Sequence, residues 1–131
     1  MKNDICIRLE ADAKQITSCR KFVKELYSSF DELSNILSLI GNFVRLKLLY
    51  LLNKEVRRCV CDLSDILEKN VSGISQHLRK LKDWNLIYSK KEAQTIFYSI
   101  TEDKLSLLNR VFKIVDSGNV LQELVWAEKK S

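Results

Sequence analysis

The sequence predicts a mainly α-helical domain carrying one small β-hairpin. Three observations point that way. The 131 residues include no Pro and only three Gly, too few for an all-β fold built on tight turns. Apolar residues recur at steps of three and four along most of the chain, which is the helical period. Two short runs rich in β-branched and aromatic residues follow one another in its later part.

In chain order, residues 2–11 are mixed in character and read as an arm. From about Asp12 an apolar stripe runs through Ile16, Cys19, Val23, Leu26 and Phe30, then Leu33, Leu37, Ile40 and Val44. One long helix fits this stripe, but Ser29-Phe30-Asp31-Glu32 also matches a capping box that would start a second helix. Gly41-Asn42 is a stop signal. Phe43 to Leu52 reads as a compact, nearly all-apolar helix carrying Arg45 and Lys47. Asn53 to Arg58 is a polar connection. A short helix from about Val60 to Glu68 should bury Leu63, Ile66 and Leu67.

Asn70 is a good N-cap for the next helix, Val71 to Trp84. Ile74, Leu78 and Leu81 form its buried stripe, and Ser72, Ser75, Gln76, Arg79, Lys80 and Asp83 occupy the other face. Leu86 to Lys90 and Thr95 to Ile100 are the strands of a hairpin, with Lys91 to Gln94 as a turn that lacks Gly. A last long helix should start near Thr101, with Glu102 or Asp103 in its first turn. Its apolar residues (Leu105, Leu107, Leu108, Val111, Phe112, Ile114, Val115) make a stripe too wide for one neighbour, so half should face a second subunit. Gly118-Asn119 should end it. Val120 to Ala127 reads as a further short helix.

These elements in this order make a winged helix-turn-helix, with a homodimer formed through the N- and C-terminal helices. The expected organisation is an arm and first helix over residues 1–30, a DNA-binding and dimerisation domain over 31–118, and a C-terminal helix or tail over 119–131. With 46% apolar and 30% charged residues, the chain is expected to be globular rather than disordered. No stretch reads as a signal peptide or membrane span, because Phe30 to Leu52 is broken by Asp31, Glu32, Arg45 and Lys47. The expectation is a cytoplasmic protein with no membrane partner. In that reducing compartment, four cysteines point to thiols, metal ligands or redox sensors rather than permanent disulfides.

Charge and motif agree on a nucleic-acid partner. Lys69 to Tyr98 contains six Lys or Arg against two acidic residues, so most of the net charge of +5 falls in this window. A local basic excess suits phosphate binding, though a solvated basic face has the same composition. On the polar face of the Val71 helix, Gln76 matches adenine and Arg79 matches guanine in a major groove. Ser72 and Ser75 suit phosphate or base contacts near the helix start. Lys80, Lys90 and Lys91 would neutralise phosphates, with Gln94 near the hairpin tip. His77, flanked by Ile74, Leu78 and Leu81, reads as packed or DNA-adjacent. With one His, no Gly-rich phosphate loop and no carboxylate cluster, no catalytic constellation is present, and the chain reads as non-enzymatic.

The most informative pair is Cys59-Val60-Cys61, placed immediately before the helix-turn-helix. At a helix start, residues i and i+2 can turn both sulfurs toward one point, and the positive helix end favours thiolate, as do Arg57 and Arg58. Soft ligands beside a DNA-reading helix suggest a switch in which a thiol-bound species controls DNA affinity.

These residues resemble the ArsR/SmtB metalloregulatory repressors over about Leu33 to Ser117. The likeness lies in Arg45-Leu46-Lys47-Leu48-Leu49, Cys59-Val60-Cys61-Asp62-Leu63, Ser75-Gln76-His77-Leu78-Arg79-Lys80-Leu81, Asn85-Leu86-Ile87 and Phe97-Tyr98-Ser99-Ile100. The Ser-Gln-His-Leu string is weak alone and becomes specific at this spacing from Cys-Val-Cys-Asp-Leu. The resemblance implies a homodimeric repressor on inverted-repeat operator DNA, released when an inducer binds. It also implies thiophilic-ion sensing at Cys59 and Cys61, with Cys6 and Cys19 as candidate extra ligands from the N-terminal segment. The Asp/His site that other members carry on the final helix looks absent: Glu102 to Gly118 has no His, and Lys104 and Val115 fall near the ligand positions. The hairpin tip Glu92-Ala93-Gln94 also departs from the Gly found in many relatives.

With imidazole confined to His77, the available ligand set is sulfur. Softness then favours Hg(II), Cd(II), Pb(II), As(III) or Zn(II), with no organic cofactor. Cys6 and Cys19 lie thirteen positions apart. A continuous helix would separate them by ~20 Å, so sharing one ion needs a folded-back arm or two chains. Cys19 also lies on the apolar stripe, where a buried small hydrophobe is the simpler reading. Two other readings stand beside the metal sensor: a repressor of the same fold that reports thiol redox state or persulfide, and a structural zinc-stabilised dimerisation module.

Overall fold

The computed structural model describes residues 6–54 and 57–118. The chain divides into two compact units, Met1–Ile36 and Leu37–Ser131. In the first, α1 (Ala13–Glu25) opens on Asp12, whose carboxylate accepts the Gln15 N–H at 3.0 Å. α2 (Tyr27–Ile40) follows after the single residue Leu26. It begins at Tyr27 and not at Ser29, because the Leu26 N–H bonds to Phe22 O and the Phe30 N–H to Leu26 O, carrying the ladder past the capping-box position. No residue of α1 is buried.

Gly41-Asn42 ends α2 as expected, and Asn42 starts the next helix by accepting the Arg45 N–H at 3.0 Å. α3 (Phe43–Lys54) buries Leu48, Leu49 and Leu52. β1 (Arg58–Cys59) leads directly into α4 (Val60–Leu67), and α5 (Val71–Asp83) completes the helix-turn-helix. β2 (Ile87–Glu92) and β3 (Thr95–Ile100) form the wing. After a 3-10 turn at Glu102–Lys104, α6 (Leu105–Asp116) closes the described chain. The expected helix at Val120 to Ala127 lies outside the described residues.

The sheet has three strands rather than the two of a simple hairpin, in the order β1-β3-β2, all antiparallel. Arg58 faces Tyr98 and Cys59 faces Phe97, so the polar connection ends as a strand along the wing. Only two residues pair there, which is too few to leave a periodic signal. The core gathers Leu48, Leu49, Leu63, Ile74, Leu78, Leu81, Leu86, Ile87, Leu108 and Phe112, all nearly or fully inaccessible. On α4 the expected burial of Ile66 fails: it is 45% exposed, and Ser64 is buried in its stead. The Ser64 hydroxyl has a partner there, donating to the Lys69 carbonyl, so its burial leaves no orphan donor.

α6 is fastened to α3. The Tyr50 hydroxyl donates to Asp116 at 2.6 Å, Lys54 Nζ donates to the other carboxylate oxygen at 3.1 Å, and the Tyr50 and Phe112 rings meet edge to face at 5.5 Å. The two hydrogen bonds hold the Asp116 carboxyl below its ordinary range. Leu108 and Phe112 are the buried residues of α6, while Val115 is 42% exposed.

Candidate functional site

α5 is started by Asn70, whose side-chain oxygen accepts the Gly73 N–H at 2.7 Å and the Ser72 hydroxyl at 3.2 Å. A Cβ on residue 73 would stand 2.9 Å from that same oxygen, so glycine there keeps the cap intact. The helix buries Ile74, Leu78 and Leu81. Ser72, Ser75, Gln76, Arg79 and Lys80 are exposed, as their spacing required. Lys82, near its C-terminus, donates to Ser89 Oγ at 2.8 Å and ties the helix to the wing.

His77 stands apart from that outward row. It is half-buried, and its Nδ1 lies 3.3 Å from an Arg45 guanidinium nitrogen. Arg45 Nε also donates to the Leu39 carbonyl at 2.7 Å, so one guanidinium links the end of α2 to the reading helix. Burial pushes the His77 pKa down, and the nearby charges of Arg45 and Lys80 push it the same way. The imidazole is therefore neutral at pH 7, with Nδ1 placed to accept from Arg45. Sequence reasoning missed this link, although an Arg inside a nearly all-apolar helix was the available signal.

The wing presents Lys90, Lys91 and Gln94 to solvent. Ala93 opens its two-residue turn with φ of 56°, a region that usually needs Gly. The wing is braced by Arg57, which pairs with Glu92 beside the turn and lies 4.1 Å over the Phe97 ring. The Arg57 hydrogen bond holds the Glu92 carboxyl below its usual range. This brace also engages the guanidinium that the sequence assigned to the thiols.

Cys59 is the last residue of β1 and the N-cap of α4, with extended backbone (φ −92°, ψ 163°) and no side-chain cap hydrogen bond. It is half-buried, and Cys61 in the first turn of α4 is exposed. Cys59 thus belongs at once to the wing sheet and to the helix-turn-helix. α4 carries this position inward through buried Leu63 and Ser64, the latter bonded to the carbonyl that precedes Asn70.

Cys6 and Cys19 are both exposed free thiols in the N-terminal unit. Cys19 borders a shallow groove on α1 with Ile16 and Val23, so it is not a buried hydrophobe within one chain. Among the described residues, no group of three or more His, Cys, Asp or Glu is gathered into a metal-binding arrangement. Cys59 and Cys61 stand at the N-cap and in the first turn of α4, one half-buried and the other exposed. Also among the described residues, no single helix is long and apolar enough to cross a membrane.

Residues 44–89 match the family model described as bacterial regulatory protein, arsR family. The chain is 30% identical over 84 residues to the cadmium resistance transcriptional regulatory protein CadC of Listeria innocua, an alignment covering 63% of this chain and 71% of that one. It is 29% identical over 77 residues to a CadC homolog of Staphylococcus aureus, covering 59% of this chain and only 64% of that relative's length. Among solved structures, reduced HlyU from Vibrio cholerae superposes with a TM-score of 0.65 at 28% identity, covering 70% of this chain and 96% of the other.

Proposed function

The chain belongs to the ArsR/SmtB family of transcriptional regulators, and from that premise we propose that it is a homodimeric repressor that grips inverted-repeat operator DNA when free of inducer. A soft ion bound by thiolates then releases it. The carrying observation is the position of Cys59, shared between the wing sheet and the first helix of the helix-turn-helix.

On this reading α5 enters the major groove. Gln76 and Arg79 meet base edges, Ser72, Ser75 and Lys80 meet the backbone, and Lys90, Lys91 and Gln94 extend the contact from the wing. His77 supports the helix from behind through Arg45. Dimerisation uses the apolar residues that one chain leaves exposed, among them Phe22, Val23 and Phe30 on α1 and α2 and Val115 on α6.

Cys59 and Cys61 hold the ion, joined by Cys6 or Cys19 where a three- or four-sulfur shell forms. The sulfur donor set fits Hg(II), Cd(II), Pb(II), As(III) or Zn(II) and disfavours ions that prefer imidazole and carboxylate. Drawing the two sulfurs together acts on the start of α4 and on the strand paired with β3. Both the reading helix and the wing are then displaced from the spacing that two successive grooves require. A coupling of about 1–3 kcal/mol, common in allostery, weakens operator binding roughly 5–150-fold.

Selection of binding sites from random duplexes by the reduced protein tests the first half of the proposal, and an inverted repeat is expected. Absorption titration of the reduced protein with each ion tests the second. Thiolate charge-transfer bands should appear with wild type and vanish in Cys59→Ser and Cys61→Ser.

A redox reading of the same fold is favoured by one observation, the unpaired state of all four thiols, three of them exposed and Cys59 half-buried. Operator release by peroxide or sulfide, with no response to metal ions, would select it.

A further inference from the structure

We infer that the cleft between the last turn of α3, the stem of the wing and the start of α6 is a second ligand site, shaped for a small organic ammonium ion. The cleft encloses about 520 Å³, within the range of small-molecule sites. Its floor is apolar: Leu52 and Ile100 are 3% and 7% exposed, and Leu105 is half-buried beside them. Its polar wall carries Asn53, Tyr88, Ser99 and Glu102.

Charge decides the class of ligand. Among the described residues, none that lines the cleft is basic, and Glu102 supplies a carboxylate. The neighbouring cation in sequence, Lys54, is committed to Asp116 at 3.1 Å, and Lys104 to Asp103 at 3.2 Å. Among the described residues Glu102 has no ion pair, and the Asn53 amide and Tyr88 hydroxyl have no hydrogen bond. Tyr88 is about half exposed, at 52%, and its ring offers a negative π face to a cation. An apolar body would cover Leu52, Ile100 and Leu105, while the ammonium group reaches Glu102 and Tyr88. An anion would be repelled by the Glu102 carboxylate.

The place of the cleft gives binding a consequence. Tyr88 lies on β2, and Ile100 ends β3, the strand paired with Cys59 and its neighbour. An occupant would fix the wing stem against α3 and α6. Effects on operator binding rest on the regulator reading above, but occupancy of the cleft does not.

The test is an amide-resolved NMR titration of the full chain with 2-phenylethylamine and, separately, with 3-phenylpropionate. The amine is expected to shift the amides of Asn53, Tyr88 and Leu105 along one saturable curve, and the acid to leave them unmoved. Glu102→Gln, an exposed change that leaves the core untouched, should weaken the amine about tenfold. Three outcomes would each overturn the site: no saturable shift at these residues, acid binding equal to amine binding, or an unchanged affinity in the Gln variant.

Discussion

α1 and α5 are both 13-residue amphipathic helices, and each is opened by an Asp or Asn side chain that caps a backbone N–H. They end in different states. α5 buries Ile74, Leu78 and Leu81 completely. α1 buries nothing, and its Phe22 and Val23 are 64% and 58% exposed. Apolar period and cap chemistry make a helix in both cases, but they do not say whose surface covers the stripe. The reading helix finds its cover within its own chain, whereas the first helix is left with a face suited to a second subunit.

The largest expected effect breaks this contrast at the core. Leu78→Ala should cost about 2–5 kcal/mol of stability, seen as a shifted midpoint in chemical denaturation. Phe22→Ser should leave the far-ultraviolet spectrum of the helices intact and shift sedimentation toward monomer at low concentration. Equal loss of helix in both variants would erase the distinction.

The next effect separates the two faces of α5. Arg79→Ala should cost about 1–3 kcal/mol of operator affinity and relax the base preference at one position of each half-site, with an unchanged melting temperature. A variant that melts earlier would instead make Arg79 part of the scaffold.

The inner face of α5 carries a smaller, pH-dependent effect. His77 has its pKa lowered by burial first and then by Arg45 and Lys80, so the unfolded chain takes up the proton at a higher pH than the folded one. The stabilising preference for neutral His77 is fully present above its unfolded pKa of about 6.5 and is lost as pH falls through and below that value. Denaturation midpoints should therefore drop in mild acid, and His77→Gln should flatten that part of the profile. Persistence of the full slope in the variant would assign it to other groups.

The smallest effect is at the wing tip. Ala93 holds φ of 56°, so Ala93→Gly should stabilise the domain by about 0.5–1 kcal/mol. A fall in melting temperature would show that the backbone there is not strained by its side chain.

Much of the fold was legible. The capped start at Asn70, the stop at Gly41-Asn42 and the two wing strands all follow from local chemistry that acts within a few residues. What escaped the sequence depends on long-range partners. The two-residue strand at Arg58 and Cys59 exists only because β3 has a free edge there. Ile66 and Ser64 exchange roles because the Lys69 carbonyl is available to a buried hydroxyl. The Arg45 bridge to His77 joins residues 32 positions apart, beyond the reach of any periodicity. The Cys59/Cys61 pair was readable as chemistry from its spacing, whereas its union of wing and reading head required the pairing of Cys59 with Phe97.

The central claim is that thiolate chemistry at this joint governs the grip on DNA. The most direct measurement follows fluorescence anisotropy of a labelled operator duplex with the reduced protein as Cd(II), Pb(II), Hg(II), As(III) and Zn(II) are added in turn. At least one ion is expected to release the wild-type protein at stoichiometric addition. The doubly substituted Cys59→Ser, Cys61→Ser protein should bind the duplex as tightly as wild type and hold it at every ion concentration. Undiminished binding of wild type at saturating levels of every ion, or equal release of the doubly substituted protein, would contradict the claim.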